Sequence, residues 1–483
     1  MLFNSWQFLV FFPVVTSLYF LLPQRLRWIL LLAASCVFYM ALIPIYILIL
    51  LFTILVDYCI GLAIGQSSGK LRKTYLIISL TSNLAILAFF KYYNFLNVSL
   101  ASFAHFIDWN YPVRYLAILL PIGLSFHTFQ GMSYTIDIYS GKQKAEKNLG
   151  IFALYIMFYP QLVAGPIERA GHMLPQFRRS HSFEYKRVTD GLKLMAWGMF
   201  KKVAIADRLA LPVQLVFSHP MRFKGIQFIL ATVLFAYQIY CDFSGYSDIA
   251  VGAGEVMGFE LVNNFNRPYY SKSLIEFWRR WHISLSSWFR DYVYIPLGGN
   301  RVPRIRVILN LFVVFFLSGL WHGANWTFAI WGLLHGGYVA VEHGLQHYKI
   351  SAFNVTYRWM RVFITFSLVT FAWIFFRADS FHTALYIVTH LFTDIGDFLG
   401  NFLNFRATTS TLAEMGLPFD TVLIIAVLLV TLETVQLIQR RSSVRNLLSG
   451  MSIPVRWGAY LALTLAIMNL GVERRIPFIY FQF

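Results

Sequence analysis

The chain alternates long apolar runs with short charged stretches. Runs free of Lys, Arg, Asp and Glu cover 1–24, 28–56, 74–90, 115–136, 149–167, 226–241, 307–341 and 362–376, and apolar stretches recur at Pro418–Leu432 and Trp457–Leu470. At roughly 20 residues per crossing these are membrane-spanning helices. Two runs are double: Pro44 divides 28–56, and the Trp-His-Gly-Ala-Asn turn divides 307–341. The pattern predicts an all-α polytopic membrane protein of about ten to twelve transmembrane helices. With no linker, repeat or low-complexity tract it reads as one domain over 1–483. Pro160 and Gly165-Pro166 interrupt the run 149–167, which predicts a re-entrant segment, tolerable only where protein or a cavity covers the broken backbone.

Composition agrees. Hydrophobic residues make up 58% of the chain and charged residues 13%, against about 25% charged in a soluble domain. The formal net charge of +18 would suggest nucleic acid in a soluble protein. Here the basic residues fall in short loops, as the positive-inside rule requires, and nucleic acid is not expected as a partner. Arg25 and Arg27, then Lys70, Arg72 and Lys73, then Lys142, Lys144 and Lys147 place every second loop inside and the N-terminus outside. Arg440, Arg441 and Arg445 followed by one crossing place the C-terminus outside as well. Met1 to Gln24 carries no charge and no small-residue cleavage site, so it reads as a retained first span rather than a removed signal. Cys36, Cys59 and Cys241 lie in apolar stretches without metal or disulfide spacing and read as small core residues.

Candidate chemistry concentrates between 276 and 335. His322 lies in Leu-Ser-Gly-Leu-Trp-His-Gly-Ala-Asn-Trp (317–326), within an uncharged run, and a proton-exchanging side chain at that depth marks a path or a reaction centre. Gly319, Gly323 and Ala324 thin the helix there, which predicts close approach of a substrate or a second chain. His282 ends Trp-Arg-Arg-Trp-His (278–282). Trp278, Trp281, His282, Leu285, Trp288 and Phe289 recur at helical spacing, so the stretch reads as one interfacial helix, with Arg279, Arg280 and then Arg290 on its cationic side. Pro296-Leu-Gly-Gly-Asn-Arg301 ends it. Such a cluster of guanidinium groups suits the phosphates of a donor such as coenzyme A, and ordinary anchoring at the membrane surface equally. Asp242 and Asp248 border an apolar run and must be paired, hydrogen-bonded or protonated; they either line a substrate tunnel or brace a helix break. Gly252, Gly254 and Gly258 follow no strand and read as small-residue helix packing rather than a dinucleotide fingerprint. His335 and His343 add imidazoles, but the spacing matches no metal motif, and no metal site is expected. By composition Pro477 to Phe483 reads as an interfacial aromatic anchor.

The strings Glu-Phe-Trp-Arg-Arg-Trp-His-Ile-Ser-Leu-Ser-Ser-Trp-Phe-Arg-Asp-Tyr, Pro-Leu-Gly-Gly-Asn-Arg and Gly-Leu-Trp-His-Gly-Ala-Asn-Trp resemble the membrane-bound O-acyltransferase family. Leu-Pro-Ile-Gly-Leu-Ser-Phe (120–126), Pro-Gln-Leu-Val-Ala-Gly-Pro-Ile (160–167), Asp-Phe-Ser-Gly-Tyr-Ser-Asp (242–248) and the terminal Phe-Ile-Tyr-Phe-Gln-Phe extend the likeness over nearly the whole chain. Its bacterial branch acylates envelope polysaccharides such as alginate. The resemblance implies an inner-membrane acyltransferase with helices around a central tunnel and a core over about 120–345. It implies His322 and His282 as catalytic residues, with Trp281, Trp321, Asn325, Asp242, Asp248, Arg279, Arg280 and Arg290 lining the tunnel or the acyl-CoA site. It also implies acetyl-CoA or another acyl-CoA as donor with no bound cofactor, a periplasmic SGNH-type partner, and a polysaccharide acceptor. A similar aromatic ending in teichoic-acid acylation systems makes Tyr480 a candidate acyl carrier, since a phenol of pKa about 10 leaves more easily than a sugar hydroxyl.

Two other classes compete. A transporter with a histidine proton relay would move solute without consuming acyl donor, and inverted repeats, which would favour it, are not found. A non-catalytic scaffold of a polysaccharide-export complex would survive loss of both histidines.

Overall fold

The computed structural model describes residues 1–41, 43–117, 120–163, 165–347, 358–401, 403–441, 443–472 and 476–479. All regular structure among them is helical. The chain divides into two compact units, Met1–Leu192 with Ala250–Val262, and Lys193–Ile249 with Asn263–Phe483.

The first unit begins with α1 (Trp6–Leu21), capped by the Ser5 hydroxyl, and α2 (Gln24–Met40). Pro44 opens a short 3₁₀ turn before α3 (Ile47–Gln66), dividing the run 28–56 where the sequence places the break. Then α4 (Gly69–Leu87) passes through a π turn into α5 (Tyr93–Phe106). The expected crossing 115–136 is displaced: α6 spans Leu124–Tyr139, and residues 109–117 form no helix. The reason is local, for Gly123 stands at φ +79° and ends any continuation backward. Helix α6 also carries too many polar groups for a lipid-facing span. His127, Thr128, Gln130, Ser133 and Thr135 are all buried. The Asp57 carboxylate of α3 accepts from Ser79 Oγ (2.9 Å) and Asn83 Nδ2 (2.8 Å) of α4, Ser79 meets Thr135 at 3.0 Å, and Gly131 leaves the room this cluster fills.

The run 149–167 breaks as expected. Helix α7 (Leu149–Met157) ends at Phe158, and α8 (Tyr159–Leu162) restarts with Pro160 in its first turn, where the missing N–H costs nothing. Every residue from Ile151 to Val163 is buried, so protein covers the broken backbone. Helices α9 (Ala170–Arg178) and α10 (Tyr185–Phe200) follow. Just before α9, Glu168, fully buried, accepts from the Val262 N–H (2.6 Å) and meets His172 Nδ1 at 2.8 Å; that hydrogen bond raises the imidazole's pKa above its ordinary value.

In the second unit a π turn (Lys201–Ala206) leads into α11 (Asp207–Ser218), and α12 spans Ile226–Met257. Helix α12 runs unbroken through Asp-Phe-Ser-Gly-Tyr-Ser-Asp, so the helix break considered for Asp242 and Asp248 does not exist. Glycines allow close helix packing: a Cβ on Gly198 would lie 2.5 Å from the Gly245 carbonyl oxygen. Gly252 likewise receives Gly191 in the first unit, whereas Gly258, at φ +99°, ends α12 against the His181 ring. Helices α13 (Leu274–Trp278) and α14 (Ile283–Phe289) precede the hairpin of α15 (Arg304–His322) and α16 (Trp326–His347). The remainder is α17 (Arg358–Arg377), α18 (Phe381–His390), α19 (Ile395–Gly400), α20 (Phe405–Glu414), α21 (Phe419–Ile438), α22 (Val444–Gly450) and α23 (Ile453–Leu470).

Seven helices among the described residues are long and apolar enough to cross a membrane: 44–66, the 69–106 succession, α12, α15, α17, α21 and α23. Helix α23 buries none of its residues, and Leu461 and Leu465 stand exposed on it. Apolar side chains left uncovered along a whole helix call for lipid as solvent.

Candidate active site

His322 is the last residue of α15, placed by a turn and by two glycines. After Gly323 the Asn325 side chain opens α16, its Oδ1 accepting from Thr327 N–H (3.1 Å) while its Nδ2 donates to the Asp379 carbonyl (3.1 Å). Gly319 and Gly332 face each other where the helices cross. A Cβ on Gly319 would strike the Phe328 carbonyl oxygen, and one on Gly332 would strike that of Phe315. The small residues around His322 therefore serve the hairpin itself: what approaches Gly319 closely is α16 of the same chain, where a substrate or a second chain was expected. Trp321 and His322 are 4% exposed.

His282 is placed by the opposite means. The single amphipathic helix expected over this stretch is broken: α13 ends at Trp278, α14 begins at Ile283, and His282 between them adopts φ +44°, ψ +55°. An imidazole in the left-handed region is uncommon and costs of order 1–2 kcal/mol. The compensation comes from the loop 263–267. Ile283 N–H donates to the Asn264 carbonyl (2.9 Å), Ser284 Oγ to Asn264 Oδ1 (2.7 Å), and Asn266 N–H to the Arg280 carbonyl (3.0 Å). These bonds satisfy backbone groups that the interrupted helix leaves open. His282 is fully buried.

The two placements bring the imidazoles together, with ring centroids 6.3 Å apart. Their wall is aromatic. His282 meets Phe243 edge-on at 4.6 Å and Trp321 at 5.9 Å, while His322 meets Trp321 at 5.0 Å, Trp331 at 5.1 Å and Phe376 at 5.3 Å. Trp281, 1% exposed, packs on Phe265 (5.0 Å) and Trp373 (5.1 Å). Two imidazoles inside an aromatic cage can pass a proton between a hydroxyl and a leaving group. His335 is engaged elsewhere in the cage, its Nδ1 accepting from Trp278 Nε1 at 3.3 Å.

Away from the histidines, Asp242 and Asp248 are ion-paired. Lys201 reaches Asp248 (2.8 Å) and Ser244 Oγ (2.9 Å); Lys202 reaches Asp242 (2.8 Å) and Asp207 (2.7 Å). Both lysines are 3% exposed. Neither was singled out from the sequence, although two adjacent cations between Met199-Phe200 and Val203-Ala204 are the signal that could have found them. Part of the tail is also internal. Phe478 and Ile479 are each 2% exposed, Phe478 lies 4.6 Å from Tyr246 and 6.1 Å from Phe243, and Ile479 N–H donates to Asp242 (2.7 Å). An interfacial anchor would leave these side chains at the surface, so that reading is corrected. Tyr480 lies outside the described residues. Arg279 and Arg290 are exposed, Arg290 pairing with Asp291 at 2.8 Å, and the half-buried Arg280 pairs with Glu276 at 2.5 Å.

Comparison with known proteins gives the chain its relatives. The chain is 40% identical to the probable alginate O-acetylase AlgI of Azotobacter vinelandii over 422 residues, covering 85% of this chain and 81% of that protein. It is 35% identical to the peptidoglycan O-acetyltransferase of Helicobacter pylori, covering 80% and 79%. It is 28% identical to the teichoic acid D-alanyltransferase of Bacillus subtilis, covering 54% and 69%. Residues 16–388 match the family model of MBOAT, the membrane-bound O-acyltransferase family. The chain therefore belongs to the membrane-bound O-acyltransferase family, as an all-α polytopic membrane acyltransferase.

Proposed function

We propose that the protein takes an acetyl or other short acyl group from a cytosolic acyl-CoA and passes it outward across the inner membrane for O-acetylation of an envelope polysaccharide. The observation that carries this reading is the 6.3 Å approach of His282 and His322 inside an aromatic wall. His322 acts as general base. It removes the proton of the attacking hydroxyl, the new C–O bond forms as the thioester C–S bond breaks, and the proton passes to the departing thiolate. His282 orients the acyl carbonyl. Tyr480 is the first acceptor, and a periplasmic SGNH-type partner moves the group from its phenol ester to the sugar. Relatives named for acetylation of alginate and of peptidoglycan support acetyl as the group and a glycan as its destination.

The test is incubation of the purified protein with labelled acetyl-CoA, followed by intact and peptide mass spectrometry of wild type, His322→Ala and Tyr480→Phe. An acetyl mass on the C-terminal peptide of wild type, absent from both variants, is the expected result. Release of coenzyme A without an adduct removes the Tyr480 step; neither product with any acyl-CoA overturns the donor.

A further inference from the structure

We propose that Lys202 and Asp242 form a buried latch that positions the C-terminal segment for acyl transfer. This deepens the proposed function and rests on Tyr480 as carrier.

The latch holds the tail at two points. The Lys202 ammonium has three protons and three oxygens within reach: Asp207 at 2.7 Å, Asp242 at 2.8 Å and the Ile476 carbonyl at 3.4 Å. Asp242 uses its other oxygen to accept the Ile479 N–H at 2.7 Å. Residues 476 and 479 are thus fixed on either side of Pro477-Phe478. Between them the Phe478 ring lies near Phe243, and Phe243 in turn lies edge-on to His282. The position of Ile479, the last described residue of the tail, is therefore tied to the same wall that holds the His282 imidazole.

Charge economy supports a positional use. A buried ion pair contributes little net stability relative to apolar residues of similar volume, because desolvation offsets the attraction. Lys202 and Asp242, each 3% exposed, make a costly way to bond helices that glycine packing already joins at Gly198 and Gly245. What they add is a charged acceptor and a charged donor for the tail's backbone, and charge-assisted bonds of this kind are about twice as strong as neutral ones.

The decisive variant is Ile479→Pro. It deletes the N–H that Asp242 accepts and leaves every buried charge in place. Ile479→Val keeps the N–H and serves as control, and Asp242→Asn tests the other side of the contact. Hydrogen exchange of the full-length protein should show the remaining amides of the C-terminal peptide exchanging at least ~10-fold faster in Ile479→Pro and Asp242→Asn than in wild type or Ile479→Val, an open segment having lost its protection. The acetyl adduct on that peptide should fall by a similar factor. His322→Ala should keep the protected tail and lose the adduct. Wild-type protection in both latch variants overturns the latch, and a released tail with an undiminished adduct overturns its positioning role. A wild-type protein without the adduct overturns the carrier reading instead, which the exchange data register separately.

Discussion

His322 and His282 arrive at one site by contrary routes. His322 ends a regular helix of 19 residues, and its position follows from side chains that are missing: Gly319 and Gly332 let α15 and α16 touch backbone to backbone. His282 sits where a helix fails, at φ +44°, held by the hydrogen bonds of Asn264 and Asn266. Regular packing allows a histidine to be placed without strain, whereas the second imidazole reaches the first only if the chain leaves the helical path between Trp278 and Ile283. Strain of this kind persists where surrounding structure over-determines it, and such positions cluster at functional sites. The largest effect separates chemistry from placement. His322→Ala should lower acyl transfer by on the order of 10²–10⁴-fold, the usual contribution of a general base, in a protein that inserts and elutes as wild type does. Full activity in that variant would remove His322 from the chemistry.

The next effect attacks the hairpin. Gly332→Val puts a branched side chain against the Phe315 carbonyl oxygen, and overpacking of this kind costs about 1–3 kcal/mol. Thermal unfolding in detergent should show the loss, and activity should fall with it, because His322 moves as α15 is displaced. The same substitution at Gly336, whose Cβ would meet Phe315 only at 3.3 Å, should cost clearly less. Equal costs at the two positions would mean that the crossing does not depend on backbone contact.

Much of this was legible in the residues. The split of 307–341 at Trp-His-Gly-Ala-Asn, the break near Pro160 and the division at Pro44 follow from local rules about Pro and Gly, and those rules do not depend on distant partners. The continuous helix expected through His282 was wrong for a definable reason. Helical periodicity from Trp278 to Phe289 is satisfied on both sides of the break, and the bonds that open it come from Asn264 and Asn266, remote in sequence. The tail misled in the same way. Its aromatic composition fits an interface equally well, and the bonds that hold residues 476–479 inward, Asp242 with Ile479 N–H and Lys202 with the Ile476 carbonyl, come from residues remote in sequence. Lys201 and Lys202 were visible as cations beside apolar residues, and Asp207 lies close to them in sequence, but their other acids, Asp242 and Asp248, lie 40 or more positions away.

Asn264 provides the sharper test of the strained half. Asn264→Ala removes the oxygen that accepts from Ser284 Oγ and its N–H, and the loss of these buried hydrogen bonds costs about 1–3 kcal/mol. Acyl transfer should drop beyond what the stability loss explains, since α14 would be free to re-form helix backward and carry the His282 ring from Phe243. Stability lost without any excess loss of rate would show that Asn264 braces the fold and does not aim the imidazole.

The smallest effect asks whether the backbone at 282 is dictated by its surroundings or chosen by the residue. Asn adopts the left-handed region far more readily than most side chains, while Gln matches the size of histidine better but carries the ordinary penalty. If neighbouring bonds impose φ +44°, His282→Asn should be more stable than His282→Gln by about 1 kcal/mol, read from denaturation midpoints, although both lose the imidazole and its activity. At His322, where the backbone is helical, the order should reverse, because Gln is the better helix former. A preference for Gln at both positions would mean that cavity volume outweighs backbone strain at His282, and that the contrast between the two histidines lies in packing alone.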